Sequence, residues 1–64
     1  MANRLRELRK AKGLTQTQLA KLSNVSQPKI SEYELGARNL DLVSLAVAKR
    51  LAKALGTTPD KLTD

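Results

Sequence analysis

Two short helix-like runs in this 64-residue sequence each open with a hydroxyl residue directly before a glutamine, Thr15-Gln16 and Ser26-Gln27. Glutamine contributes nothing to an apolar core, and its amide both donates and accepts hydrogen bonds, so the chemistry it offers is recognition. What is missing from the chain points the same way. With no cysteine and no histidine, disulfides, the common zinc ligands and the usual general base are all unavailable. No paired carboxylates share a face and no glycine-rich phosphate loop occurs, so an enzyme has little support and no cofactor or metal is expected. Twelve Lys and Arg against six Asp and Glu leave a formal charge of +6. Such an excess on a small surface favours polyanions, nucleic acid first and anionic membrane second.

The elements that must hold these residues are short helices. The chain is rich in Leu, Ala, Lys, Arg and Gln and poor in aromatic and β-branched residues, which predicts an all-α fold. At this length one domain spanning residues 1–64 is expected, stabilised by close helix packing. There is no run of about 18 apolar residues and no apolar stretch behind the basic N-terminus, which sets aside membrane-spanning and secretory readings. The absence of cysteine is compatible with a cytoplasmic protein.

Five helices are expected. The first covers Asn3 to Lys12, with Asn3 as its cap, apolar Leu5, Leu8 and Ala11, and Gly13 as its stop. Thr15 and Gln18 have capping-box spacing, and the second helix follows from Gln16 to Ser23, burying Leu19, Ala20 and Leu22. Asn24 marks a sharp turn that tolerates a left-handed backbone, Val25 plugs it into the core, and Ser26 is placed to cap the third helix, Gln27 to Leu35. There Pro28 lies in the first turn, where a missing N–H costs little. At about 100° per residue, Ile30, Tyr33 and Glu34 fall on one side of it, and Gln27, Pro28, Ser31, Glu32 and Leu35 on the other. The fourth helix begins at Asp41 or Ser44 and carries Leu45, Ala48, Leu51, Ala52 and Leu55 at helical spacing up to Gly56; Thr58-Pro59 opens a short fifth helix through Leu62.

The second and third helices with their turn resemble the helix-turn-helix of the phage repressor and Cro superfamily, the XRE-type regulators. The resemblance is carried by Leu5, Leu8-Arg9, Gly13-Leu14-Thr15-Gln16, Leu19-Ala20, Val25-Ser26, Ile30-Ser31, Tyr33-Glu34, Gly36, Arg38-Asn39 and Leu51-Ala52-Lys53-Ala54-Leu55-Gly56. It spans nearly the whole chain, in order. It implies a compact five-helix, lambda-repressor-like domain whose third helix lies in the major groove of double-stranded DNA while the second crosses the backbone.

The resemblance also implies roles. Both glutamines stand at helix N-termini, where free N–H groups and the helix dipole attract phosphate. Gln16 matches a position that contacts phosphate and braces Gln27, and Gln27 matches one whose side chain can pair with adenine N6 and N7. Pro28 replaces a polar base-reading residue and offers only its ring to a thymine methyl. Lys29 is expected to reach a phosphate, and Ser31 lies on the presented face. Glu32 either accepts from cytosine N4 or faces solvent. Arg9 and Glu34 match a partly buried ion pair between the first and third helices. Arg38 and Asn39 match a backbone-contacting loop, and here Leu40-Asp41-Leu42-Val43-Ser44 stands where shorter relatives place Pro-Ser.

The expected function is thus sequence-specific binding of double-stranded DNA by a transcriptional regulator, a repressor occupying its operator as a homodimer. Leu40, Leu42, Val43 and Val47 are candidates for the dimer surface, or for packing beneath the longer loop. A protein-interaction module, such as the antitoxin of a toxin–antitoxin pair, is the alternative.

Overall fold

In this computed structural model the described residues fold into five helices: α1 (Leu5–Ala11), α2 (Gln16–Ser23), α3 (Gln27–Leu35), α4 (Leu45–Leu55) and α5 (Pro59–Leu62). The structure describes residues 4–37 and 43–62, and among them there is no strand. No helix among the described residues is long and apolar enough to cross a membrane.

Local chemistry sets the helix ends. Thr15 accepts from the Gln18 amide at 3.0 Å while the Gln18 side chain accepts from the Thr15 amide at 2.8 Å, a complete capping box at the start of α2. Asn24 turns the chain out of α2 in the left-handed region, with φ 57°. At the end of α1, Gly13 takes φ 71°, which lets the Gly13 amide donate to Lys10 and the Leu14 amide to Arg9. The Ser44 hydroxyl caps α4 by accepting from the Val47 amide at 3.3 Å.

Two expected caps differ. Ser26 stands at the N-cap of α3, yet its side chain makes no cap hydrogen bond. Pro28, second in that helix, has removed one of the amides a cap would serve. At the other end of the chain, α1 starts at Leu5, later than expected, and Arg4 precedes it without a side-chain cap. There the Arg4 amide donates to the Leu62 carbonyl at 2.9 Å, so the entry to α1 is tied to α5. The proposed cap Asn3 lies outside the described residues, as does Asp41.

Leu5, Leu19, Val25, Ile30, Tyr33, Leu51, Ala52, Leu55 and Leu62 form one core, with Leu8, Leu14, Ala20, Val43 and Val47 partly buried against it. Val43 and Val47 therefore pack inward, while Leu40 and Leu42 lie outside the described residues. Leu22 does not join the core; it is 62% exposed. On α2 the covered residues Gln16, Leu19, Ala20 and Ser23 occupy one arc, and Leu22 falls roughly 60° to the far side of Leu19. Ser23 takes the inward place and remains satisfied there, its hydroxyl donating to the Leu19 carbonyl at 2.7 Å. Leu45, in the first turn of α4, is 63% exposed for a related reason, since the buried face of that helix is concentrated at Leu51, Ala52 and Leu55.

Candidate nucleic-acid interface

Gln16 is the first residue of α2 and Gln27 the first of α3, and the turn at Asn24 brings their side chains together. Gln27 Nε2 donates to Gln16 Oε1 at 2.7 Å. The Gln16 Nε2 group in turn donates to Glu34 Oε1 at 3.2 Å. Arg9 completes the set from α1: its Nε donates to Glu34 Oε2 at 2.7 Å and its Nη2 to Glu34 Oε1 at 3.0 Å. This is a two-point guanidinium–carboxylate pair, which fixes orientation as well as charge. Arg9 Nη1 donates to the Leu14 carbonyl at 2.7 Å, so the turn after α1 is part of the same assembly. A continuous relay thus runs from the Leu14 backbone through Arg9, Glu34 and Gln16 to Gln27.

The ion pair is well covered, with the Arg9 and Glu34 side chains 11% and 3% exposed. Burial alone would push the Glu34 carboxyl up. The hydrogen bonds from Arg9 and Gln16, with the positive charges of Arg9 and Arg6, outweigh it and hold that carboxyl below its ordinary value. The hydrogen bond to Glu34 raises the Arg9 guanidinium against the opposing effect of burial. No buried side-chain polar atom among the described residues lacks a partner. The relay therefore holds Gln16 and Gln27 at the surface without stranding a charge beneath them.

Sequence reasoning named six further positions. Pro28 and Lys29 are exposed in the first turn of α3, and Ser31 and Glu32 are half-buried one turn on. Arg38 and Asn39 lie outside the described residues. The Leu14 carbonyl was missed as an anchor, because no side-chain pattern marks a backbone acceptor. Arg6 was also missed. It lines a cleft of about 210 Å³ with Arg9, Gln16, Ser31, Glu34 and Leu35. The available signal was its spacing of three residues from Arg9, which puts both arginines on neighbouring parts of α1.

Two helices joined by a tight left-handed turn, with a polar pair bridging their N-termini, form a helix-turn-helix. A family model described as "Helix-turn-helix domain" matches residues 1–64. The chain belongs to the helix-turn-helix domain family. It is similar to the solved structure of the restriction-modification controller protein C.AhdI from Aeromonas hydrophila, at 47% sequence identity and a TM-score of 0.81, over 92% of this chain and 85% of that one. No curated protein sequence matches the chain. The helix-turn-helix assignment agrees with the phage repressor and Cro-type resemblance and with the all-α, five-helix fold expected from it. The function of this helix-turn-helix protein is DNA-binding regulation of transcription.

Proposed function

We propose that residues 1–64 act as one sequence-specific DNA-binding domain that represses transcription as a homodimer on a two-fold operator, in the cytoplasm and without enzymatic activity. The observation that carries this reading is the bond between Gln27 and Gln16 at 2.7 Å, set on the Arg9–Glu34 pair. A bond of that kind supports a reading in which Gln16 holds the phosphate backbone and the free edge of Gln27 meets a base.

In this reading α3 enters the major groove. Gln27 pairs with adenine N6 and N7, Pro28 packs on a thymine methyl, and Lys29 reaches a phosphate. Ser31 and Glu32 lie on the presented face one turn further along, where Glu32 accepts from cytosine N4, and Gln16, with the first amides of α2, holds the backbone. Arg38 and Asn39 add backbone contacts from the segment after α3. A single module of this size binds weakly, so two copies on half-sites about one helical turn apart supply the affinity. The likeness to a restriction-modification controller protein supports a regulatory role.

The test is selection from a randomised duplex library at two salt concentrations. A short, two-fold symmetric consensus that disappears with Gln27→Ala is expected. Salt-sensitive binding without a consensus would overturn base reading through α3. Absence of DNA binding, with capture of a protein partner instead, would favour the interaction-module alternative.

A further inference from the structure

The cleft lined by Arg6, Arg9, Gln16, Ser31, Glu34 and Leu35 adjoins the relay and extends it toward α1. Its two guanidinium groups face one carboxylate. Both oxygens of that carboxylate are already engaged, by Arg9 and by Gln16. Arg6 is different: it is exposed, and it acts on Glu34 through its charge, while the two-point pair is made by Arg9. The cleft thus carries a net positive charge, two guanidinium groups against one carboxylate.

Its other wall is the surface that the DNA-binding reading turns toward the duplex. Ser31 stands four residues after Gln27 and so on the same face of α3, with a hydroxyl able to donate. Gln16 opens α2, whose first amides lack acceptors within the helix. A cationic arm, a hydroxyl and a helix start around one opening suit a singly charged tetrahedral oxyanion.

We propose that this cleft receives one phosphodiester group of the bound duplex, clamped between Arg6 of α1 and Ser31 of α3, and that Arg6 is a backbone-positioning residue; the proposal rests on the DNA-binding reading above. Because Arg6 comes from a different helix from the base-facing residues, its phosphate contact sets how α3 is tilted in the groove. Its effect is therefore on affinity and register, and the sequence preference comes from α3.

The experiment compares wild type, R6A, R6K and the charge-matched control K53A on the duplex recovered by selection, titrated across salt. A second series carries an uncharged methylphosphonate at successive backbone positions. R6A is expected to weaken binding about tenfold, the scale of one charge-assisted contact, and to reduce the slope of log K against log salt by about 0.9. R6K is expected to retain the slope. At one backbone position, neutralisation should weaken wild type and leave R6A unaffected. The proposal is overturned if R6A behaves as K53A does, or if no position shows that loss of effect, while wild type still binds with its consensus. If wild type binds no duplex at all, the DNA-binding reading falls and this inference falls with it.

Discussion

The side chains of Gln16 and Gln27 are joined by a 2.7 Å hydrogen bond, although each opens a separate helix and they stand eleven positions apart. That bond leaves each amide with less freedom than a solvated glutamine has. Part of the ordering cost of binding is therefore met before DNA arrives. The two residues should consequently act as a unit. In duplex binding, Gln27→Ala and Gln16→Ala are each expected to cost about 1–3 kcal/mol. The double variant should cost less than their sum, with a coupling of at least about 0.5 kcal/mol. Fluorescence anisotropy on the selected duplex measures all three, and strict additivity would show that the bond plays no part in recognition.

Glu34 is expected to matter for stability more than for contact with DNA. Its side chain is 3% exposed and holds Arg9 and Gln16 in place. Glu34→Ala leaves the Arg9 guanidinium covered and unpaired, which should cost about 3 kcal/mol. Urea denaturation measures this, and a loss under 1 kcal/mol would mean that Arg9 swings out to water.

The same carboxylate gives stability a pH dependence. Its folded pKa lies below the ordinary value of 4.5, so the unfolded chain takes up the proton first as pH falls. The stabilisation is thus fully present above about pH 4.5 and is lost as pH drops through the lower folded value. Thermal melts between neutral and strongly acidic pH should show this fall in wild type and a shallower one in Glu34→Gln. Parallel curves would assign the acid sensitivity to other carboxylates.

Leu19 and Leu22 lie one turn apart on α2 but differ completely in cover, fully buried in one case and 62% exposed in the other. Leu19→Ala should therefore cost about 2–5 kcal/mol. Leu22→Ala should stay within about 0.5 kcal/mol. Chemical denaturation of both checks the burial pattern, and a large loss at Leu22 would indicate that a second surface covers it in solution.

Much of the architecture was legible in the sequence, because helix boundaries depend on residues within a few positions of one another. Thr15 and Gln18 satisfy each other's backbone amides, Asn24 accepts a left-handed turn, and Pro28 fits a first helical turn. Each is a local preference that survives whatever the rest of the chain does. Ser26 was less legible. The same Pro28 that favours the helix start removes an amide its hydroxyl would have served.

By itself, then, the sequence determined the all-helical class, the punctuation of its elements, the basic charge and the absence of cysteine and histidine chemistry. These follow from backbone energetics and composition, which need no knowledge of where one helix lies relative to another. The tertiary structure alone decided which leucines face inward and which further acceptors, the Leu14 carbonyl for Arg9 and Glu34 for Gln16, join the Arg9–Glu34 and Gln16–Gln27 pairs that the family resemblance implied. Leu22 and Leu45 look like core residues until neighbouring helices define the buried arc. The ion pair joins Arg9 to Glu34 across 25 positions, and the Leu14 carbonyl enters through backbone position with no side-chain signature. Arg6 meets Ser31 across one cleft only because α1 packs on α3. Burial and long-range pairing are properties of the assembled surface, and no local pattern of residue types encodes them.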